Sequence, residues 1–263
     1  MPLICFASPK GGVGKTTLSA NIAHELQRNG CRVLAIDFDP QNALRLHFGM
    51  SMRDRSGWSN GMPAHSDWQR ALRSTNSGIT LLPYGSLDLH AALTLDAAVA
   101  RQPDLIRTPM QALLSDPDLT VVADLPPGPS AMLALLAPMA TVLLCVLKAE
   151  VISAALLPEI ESGRFLGQPV GSEIARRLRV VINEVDMASR PSRAAAEAVA
   201  RHAGWRLLGA VTRDEALMEA LACQKLLLET TPRSHAADDI REVTQALSEL
   251  LPQTRPAAFQ AWA

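Results

Sequence analysis

Short runs of consecutive apolar residues recur along the chain, and longer stretches of helical composition separate them. Seven of these runs are rich in β-branched residues or leucine and are interpreted as buried strands, at residues 3–7, 32–36, 80–82, 119–123, 141–147, 179–182 and 207–211. Continuous apolar runs of this length, alternating with helices, are typical of a mostly parallel sheet covered on both faces. We therefore predict an α/β fold with a mostly parallel central sheet of about seven or eight strands.

Helical periodicity is clearest in residues 17–29, 194–202 and 239–251, and Gly30 is suited to end the first of these helices. In the last of them, one face is apolar and is expected to pack on the domain; it contains Ile240, Val243, Leu247 and Leu250. Residues 48–78 differ, because they are rich in Gly, Ser, Asn and Arg and contain two tryptophans but few periodic apolar positions. We interpret them as an irregular or short-helical insertion on the surface of a single domain that spans residues 1–251. Residues 252–263, with two prolines, are expected to form a flexible tail.

Composition limits the classes of function. The 263 residues are 48% hydrophobic, enough for one substantial core, and the net charge of −1 predicts no strong global field for nucleic acid or an anionic membrane. We find no signal peptide and no apolar stretch long enough to cross a membrane, so a cytoplasmic protein is expected. The four cysteines are widely spaced with no CxxC pair and are expected to be buried free thiols in a reducing compartment.

The strongest chemical motif directly follows the first predicted strand and opens a helix. It runs Ser8-Pro9-Lys10-Gly11-Gly12-Val13-Gly14-Lys15-Thr16-Thr17, and a strand–loop–helix context is what a phosphate-binding loop requires. Glycines let backbone N–H groups converge on phosphate oxygens, and the helix N-terminus adds partial positive charge. Lys15 can reach the β- and γ-phosphates of ATP, and the hydroxyl of Thr16 can bind Mg²⁺. The alternative is a glycine-rich turn that happens to carry lysines.

The run Lys10-Gly11-Gly12-Val13-Gly14-Lys15-Thr16-Thr17 resembles the deviant Walker A box of the MinD/ParA family of ATPases, although Pro9 stands where the usual P-loop pattern has Gly. The resemblance implies that the protein forms a homodimer across ATP. Lys10 would then supply a cation to the nucleotide of the other subunit, as an arginine finger does. The alternative is that Lys10 neutralises phosphate charge only within its own subunit.

Carboxylates follow two of the predicted strands, at the edge where ligands bind in open α/β sheets. Asp37 and Asp39 come after the second strand, and Asp124 follows the strand at residues 119–123. The family resemblance implies that Asp124 holds Mg²⁺, that Asp37 lies near the metal and that Asp39 orients the attacking water. The next residues, Pro126-Pro127-Gly128, would form a switch that senses the γ-phosphate. Asp39 could also cap the following helix.

Three further residues are assigned to the adenine pocket by the same resemblance. Asn183 follows a strand, where a lone asparagine is more often a turn residue, but an asparagine at this place in the family hydrogen-bonds adenine. The loop containing Thr212 and Arg213 would close the pocket. Relatives usually have an Ile-Pro pair just there, so this chain departs from the family pattern at both positions.

Three subfamilies are less similar to this chain. Nitrogenase iron protein and iron–sulfur scaffold ATPases need cysteines for a cluster between subunits, and no cysteine lies between Asp124 and Cys145. MinD anchors through a basic amphipathic C-terminal helix, whereas residues 251–263 contain two prolines and one arginine, so no direct membrane anchor is expected. ParA proteins bind DNA through basic patches; the candidates here are Arg176, Arg177 and Arg179, together with Arg190 and Arg193, but we interpret them as a solvated face.

Motifs outside the P-loop resemble the ATPases encoded in bacterial cellulose-synthase operons, the BcsQ/YhjQ family. They are Arg45-Leu46-His47-Phe48, Arg55-Ser56-Gly57-Trp58, Asp67-Trp68, Leu81-Leu82-Pro83-Tyr84-Gly85 and Arg213-Asp214-Glu215-Ala216-Leu217, continuing through Ala222 and Lys225. The resemblance implies a slow, partner-regulated ATPase that supports cellulose synthesis and secretion. Its expected partners are a small accessory protein from the same operon and components of the cellulose synthase complex, which would recruit it to the inner membrane or cell pole. The alternative is a ParA/MinD-type ATPase that partitions DNA or positions another cargo.

Trp58 and Trp68 stand in the polar segment 48–78 and have two interpretations. They are candidates for a partner-binding surface, since exposed tryptophans are frequent in the energetic centres of interfaces. Alternatively, they attach the segment to the domain.

Overall fold

The computed structural model describes residues 2–62, 68–162, 165 and 172–252, and the structural statements below concern these residues. They contain one eight-stranded sheet in the order β3-β4-β2-β5-β1-β6-β7-β8, in which the edge strand β3 is antiparallel and all other neighbours are parallel. The strands are β1 (Leu3–Ala7), β2 (Arg32–Asp37), β3 (Arg73–Ser74), β4 (Thr80–Leu82), β5 (Leu119–Asp124), β6 (Val142–Lys148), β7 (Leu178–Val185) and β8 (Leu207–Thr212). The predicted fold class is confirmed.

Helices connect the strands and cover both faces of the sheet. They are α1 (Lys15–Arg28), α2 (Leu44–His47), α3 (Trp68–Ala71), α4 (Leu89–Arg101), α5 (Asp104–Leu113), α6 (Ala131–Leu136), α7 (Val151–Ser162), α8 (Ser172–Arg177), α9 (Arg190–Ala203), α10 (Glu215–Ala222), α11 (Leu227–Thr230) and α12 (His235–Ser248). None of the helices in the described ranges is both long and apolar enough to span a bilayer.

The central strand β1 shows why the strand sequences are apolar throughout. Leu3 and Cys5 point to one side of the sheet and pack with α4, α5, α6, α7 and α9, whereas Ile4 and Phe6 point to the other side and pack with α1, α11 and α12. Successive side chains of a strand alternate between the faces, so a strand covered on both sides must be apolar at every position. This two-sided burial fixes the carboxyl ends of the parallel strands along one edge of the sheet.

The acidic residues lie at that edge. β1 lies between β5 and β6, and β2 is the next neighbour of β5. The register pairs Phe6 with Asp124 and Asp37 with Asp124, so the ends of β1, β2 and β5 are level with each other. The loop after β1 therefore lies directly above two buried carboxylates.

The segment 48–78 contributes to the core and is not only a surface insertion. Trp58 and Trp68 are 2% and 6% exposed and pack with Phe38 and Tyr84, at ring-centroid distances of 5.2 to 6.1 Å. The indole N–H of Trp58 also donates to the carbonyl oxygen of Asp37 at 2.7 Å. A partner surface built on exposed rings is therefore wrong, and the two tryptophans attach the segment to the domain.

Two smaller expectations also change. Cys5 and Cys145 are buried as predicted, but Cys31 is half-buried and Cys223 is exposed, because it follows the last turn of α10 at the surface. Leu250 lies beyond the end of α12 and is 36% exposed, although it was expected on the buried face of that helix. The predicted flexible tail lies outside the described residues except for Pro252, and Asp67 of the resemblance motif lies outside them too.

Candidate functional site

The phosphate loop connects β1 to α1 in the conformation that its glycines permit. Gly12 and Gly14 have φ angles of 72° and 82°, in the left-handed region that residues with a side chain rarely adopt. Gly14 precedes the first residue of α1, Lys15. The N-terminal backbone N–H groups of α1 therefore point toward the loop, where an anion would be stabilised.

Lys15, Thr16 and Asp124 meet beneath this loop. The ammonium of Lys15 is 2.6 Å from one carboxylate oxygen of Asp124, and the hydroxyl of Thr16 donates to the other at 2.7 Å. Lys15 is 6% exposed and Asp124 is completely buried. Burial raises the pKa of Asp124, while the charge and hydrogen bond of Lys15, followed by that of Thr16, act in the opposite direction. The three residues therefore lie together, and their contacts with phosphate and Mg²⁺ stay predictions.

Asp37 shapes the loop that follows β2. Its two carboxylate oxygens accept the backbone N–H groups of Asp39 and Leu44 at 2.9 and 3.0 Å. Burial, followed by the charge of Asp124, raises the pKa of Asp37 well above its usual value. The carboxylate that bonds the first residue of α2 is therefore that of Asp37.

Asp39 lies at the opening of the site. Its Oδ2 atom is 3.8 Å from the Lys15 ammonium, and its Oδ1 atom accepts the N–H of Gln41 at 2.9 Å. The residue preceding α2 is Ala43, so the alternative in which Asp39 caps that helix is wrong. Its predicted role in positioning water stays a prediction.

Asn183 lies on β7 and is hydrogen-bonded to the phosphate loop. Its side-chain N–H donates to the carbonyl of Val13 at 2.8 Å, and a Cβ added to Gly14 would come within 2.1 Å of the same nitrogen. The pairing of β7 with β8 is irregular between Ile182 and Val185, and Glu184 has a φ of 56°. Such bulges re-aim side chains next to functional sites. The side-chain oxygen of Asn183 is buried without a hydrogen-bond partner among the described residues, so it can accept a hydrogen bond from a ligand, and its contact with adenine stays a prediction.

Thr212 and Arg213 lie on the same edge as Asn183. The backbone N–H of Arg213 donates to the carbonyl of Val185 at 3.0 Å, and that of Thr212 donates to a carboxylate oxygen of Asp239 at 2.8 Å. The Arg213 side chain is 67% exposed, 3.8 Å from Asp186. The backbone of this loop is therefore fixed beside β7, and the adenine contacts of both residues stay predictions.

Lys10 forms an ion pair with Glu150, which immediately precedes α7. Both side chains are 31% exposed, so the pair lies at the mouth of the site. Glu150 was not among the site residues predicted from the sequence. Its position did point to the site, because Glu150 follows the carboxyl end of the apolar strand β6, much as Asp124 ends β5. A single glutamate at the start of a helix is common, however, so this pattern alone does not indicate a functional residue.

The segment after Asp124 is tied to the start of the phosphate loop. The N–H of Leu125 donates to the carbonyl of Phe6 at 3.1 Å, and that of Gly128 donates to the carbonyl of Ser8 at 2.8 Å. Gly128 has a φ of 74°. The Pro-Pro-Gly turn predicted as a γ-phosphate sensor thus contacts the loop directly.

Comparison with known proteins identifies the family. The family model described as cellulose biosynthesis protein BcsQ matches residues 1–247. The BcsQ protein of Escherichia coli K12 is 38% identical over 89 residues, which is 34% of this chain and 36% of that protein. The chain thus spans about a third of the length of this curated relative.

Solved structures share the fold over nearly the whole chain. The septum site-determining protein MinD of Pyrococcus horikoshii, complexed with Mg-ADP, superposes with a TM-score of 0.75 and 20% identity, covering 95% of this chain and 96% of that one. A chain of the MinC:MinD cell division complex of Aquifex aeolicus gives a TM-score of 0.71 at 21% identity, with coverages of 98% and 100%. At these identities the likeness establishes the fold.

Proposed function

The chain belongs to the BcsQ family and has the MinD/ParA type of P-loop ATPase fold, and on this premise we propose that it is a Mg-ATP-dependent, dimerising ATPase that assembles or regulates bacterial cellulose synthesis and secretion. One observation carries the nucleotide chemistry. Lys15, Thr16 and Asp124 meet under a loop whose backbone N–H groups and left-handed glycines are suited to phosphate.

ATP would bind with its phosphates against the loop from Lys10 to Thr17. Lys15 would exchange part of its contact with Asp124 for the β- and γ-phosphate oxygens, through charge-assisted hydrogen bonds. Thr16 and Asp124 are the residues that would hold Mg²⁺, with Asp37 nearby. When bound, Mg²⁺ would neutralise charge on the phosphates. Mg²⁺ suits such a site because it uses few carboxylates together with substrate phosphates.

Hydrolysis would depend on Asp39. Its Oδ1 atom is fixed by the N–H of Gln41, while Oδ2 faces the Lys15 ammonium, so the carboxylate is held in one orientation at the opening. Phosphoryl transfer depends mainly on positioning and charge, and a fixed carboxylate can orient the attacking water. We propose Lys10, Lys15 and Asp39 as the catalytic residues.

Dimerisation would use Lys10. Its partner in the single chain, Glu150, is at the mouth of the site, so the lysine can leave this exposed pair at small cost. In the dimer, Lys10 would contact the nucleotide of the other subunit. A cation supplied in trans would make formation of the dimer depend on bound ATP.

The partners that fit this role are a small accessory protein encoded in the same operon and components of the cellulose synthase complex. The match to the BcsQ family model over residues 1–247 supports this assignment. The protein would work in the cytoplasm and reach the synthase complex through these partners. No strong nucleic acid binding and no direct membrane anchor are part of the proposal.

Three substitutions test the proposed roles separately: ATP binding by Lys15, dimerisation by Lys10 and hydrolysis by Asp39. Lys15→Ala should weaken ATP binding by at least about a hundredfold, because a cation and its hydrogen bonds disappear together. Lys10→Ala should bind ATP as a monomer but fail to dimerise. Asp39→Ala should bind ATP and accumulate as a dimer, since only water positioning is lost. Nucleotide affinity, sedimentation with ATP or ADP, and phosphate release measure the three outcomes, with Lys225→Ala as the control. Normal ATP-dependent dimerisation of Lys10→Ala would show that Lys10 does not act in trans.

The cellulose assignment needs its own test in cells. A strain lacking the gene should secrete little cellulose, and the wild-type gene should restore secretion whereas the Lys15→Ala gene should not. Cellulose is measured by dye binding and by cellulase-sensitive glucose release. Secretion that is unchanged in the deletion strain would refute the cellulose role while leaving the ATPase proposal standing.

A further inference from the structure

An exposed tryptophan lies among arginines at the edge of the sheet opposite the nucleotide site. Trp205 is 63% exposed, although it belongs to the short 3-10 turn Gly204–Arg206 that leads into β8. The guanidinium carbons of Arg179 and Arg206 lie 4.7 and 5.4 Å from its ring centroid. Arg177 ends α8, two residues before Arg179. We call Arg177, Arg179, Trp205 and Arg206 the arginine–tryptophan patch.

Backbone carbonyls hold two of these guanidinium groups in place. Arg179 donates to the carbonyls of Arg176 and Leu178 at 2.7 and 2.9 Å. Arg177 donates to the carbonyls of Pro138 and Ala140 at 3.0 and 3.2 Å. The patch is therefore ordered in the protein itself, and little side-chain entropy would be lost when a ligand binds.

The positive charge of these two arginines is weakly balanced. Carbonyl groups orient a guanidinium without neutralising it. Among the described residues, the carboxylate that pairs with Arg177 is that of Glu173, which is 3.8 Å away and 74% exposed, and none pairs with Arg179. Such an exposed pair contributes little. Burial and then the charge of Arg206 lower the pKa of Arg179, as expected where cations are held together.

We propose that the arginine–tryptophan patch is a docking site for an acidic segment of a partner protein, which brings carboxylates to the guanidinium groups and an apolar or aromatic side chain to the Trp205 ring. Arginine forks match carboxylates in a bidentate way, and Trp and Arg are the residues most enriched in the energetic centres of protein interfaces. A membrane surface or nucleic acid fits less well, because the whole chain has a net charge of −1 and therefore no strong global field for a polyanion.

The position of the patch separates it from the nucleotide chemistry. Arg179 and Trp205 lie at the amino ends of β7 and β8, whereas the phosphate loop and Asn183 lie toward the carboxyl ends. Arg179 and Asn183 are four residues apart on β7, which at about 3.3 Å per residue separates their backbones by roughly 13 Å. A partner bound here would leave the face used for the ATP dimer open. The docking proposal can therefore be tested independently of the proposed ATPase activity.

Binding of defined probes tests the proposal on the full-length protein. The probes are a short fluorescein-labelled peptide rich in glutamate with a central phenylalanine, a labelled duplex DNA, and phosphatidylglycerol vesicles. We expect saturable binding of the peptide, weakened about tenfold or more by Arg179→Glu and by Trp205→Ser. Anisotropy at low and moderate salt gives the affinities.

Arg53→Glu is the matched control, because Arg53 is exposed, lies in the segment between α2 and α3 and not on β7 or β8, and undergoes the same charge change. Its peptide affinity should stay within about twofold of wild type. Trp205→Ser keeps the test valid if Arg179→Glu unfolds, since the Trp205 ring is mostly exposed. Equal peptide binding by wild type and Trp205→Ser, or tighter binding of DNA or vesicles than of peptide, would overturn the proposal.

Discussion

Two neighbouring regions of this molecule are held in place by different forces. The phosphate loop is fixed by hydrogen bonds and charges, from Asn183 to the Val13 carbonyl and from Lys15 to Asp124. The segment 48–78 is fixed by aromatic packing around Trp58, which is 2% exposed. The two regions meet at Asp37, whose carboxylate holds the loop after β2 and whose carbonyl accepts the Trp58 indole N–H.

This difference in forces predicts that the segment contributes mainly to folding stability and the phosphate loop mainly to nucleotide binding. Aromatic packing contributes mainly through buried area, so changes in the segment should lower the free energy of unfolding. Polar contacts in the loop only offset the cost of burying Lys15 and Asp124, so the intact pair adds little net free energy of unfolding, and its main contribution is expected to be to phosphate binding. Substitutions in each region, measured for both properties, test this division.

The largest stability effect is expected for Trp58→Ala. Removing a fully buried indole loses its transfer free energy and leaves a cavity among Phe38, Trp68 and Tyr84, so the free energy of unfolding should fall by about 3–5 kcal/mol. Trp205→Ala is the matched control, because that ring is 63% exposed and should lose about 1 kcal/mol or less. Urea unfolding measures both. Similar losses for the two variants would mean that the aromatic cluster does not carry the stability of the segment.

The same two regions show what sequence could predict. The loop residues from Lys10 to Thr17 were identifiable because the chemistry of phosphate binding fixes the order of glycines and lysines over a few positions. The burial of Trp58 and Trp68 was not, because the segment has no apolar period and its buried face exists only through contacts with Phe38 and Tyr84, which are distant in sequence. Long-range packing of this kind leaves no local pattern.

Similar reasoning applies to smaller elements of the site. The two-residue strand β3 is specified by its pairing with β4 and not by its own sequence. Glu150 contacts Lys10 across 140 positions, and the bulge that aims Asn183 depends on β8. Asp37 was assigned to the metal from family resemblance, whereas its bonds to Asp39 and Leu44 depend on the path of the loop after β2. Apolar strands, by contrast, are predictable because burial on both faces of the sheet requires an apolar side chain at nearly every position.

A second prediction uses pH and concerns His47, which ends α2 just before the segment. Burial lowers the pKa of His47 from 6.5 to about 4. The unfolded chain therefore binds the proton more tightly, so the free energy of unfolding should fall as pH drops from 6.5 toward 4, by about 2 kcal/mol at pH 5. His47→Gln should remove this part of the pH dependence, as measured by urea unfolding at several pH values.

The buried carboxylates of the loop region act in the opposite sense. The pKa values of Asp37 and Asp124 are raised, so their contribution to stability falls as pH rises above the usual carboxyl range. Comparing wild type with His47→Gln at each pH cancels this contribution. The control variant is His90→Gln, which makes the same substitution at an exposed histidine. A His47→Gln profile parallel to wild type would mean that His47 is accessible to protons in the folded chain.

A third prediction concerns the effect of adding a methyl group to the phosphate loop. Gly14→Ala should lower the free energy of unfolding by about 2 kcal/mol, because a left-handed φ of 82° strains alanine and the new Cβ displaces the Asn183 amide from Val13. Gly30→Ala has similar backbone strain, at a φ of 91°, but meets nothing within 4 Å, so it should lose about 1 kcal/mol. ATP affinity should fall only for Gly14→Ala. Equal ATP affinity of the two variants would show that the hydrogen bond from Asn183 to the Val13 carbonyl is not required for ATP binding.

The smallest expected effect, for Trp58→Phe, tests the contact between the two regions. Phenylalanine keeps an aromatic ring against Phe38 and Tyr84 but cannot donate to the Asp37 carbonyl, which the indole N–H reaches at 2.7 Å. The free energy of unfolding should fall by about 1–2 kcal/mol, from the lost hydrogen bond and the smaller ring. ATP affinity should stay within about threefold of wild type, because the Asp37 carboxylate keeps its bonds to the N–H groups of Asp39 and Leu44. Urea unfolding and nucleotide titration on the same preparation give both values. If ATP affinity falls as far as it does in Lys15→Ala, the aromatic segment is part of the nucleotide site, and the division between packing and chemistry fails at Asp37.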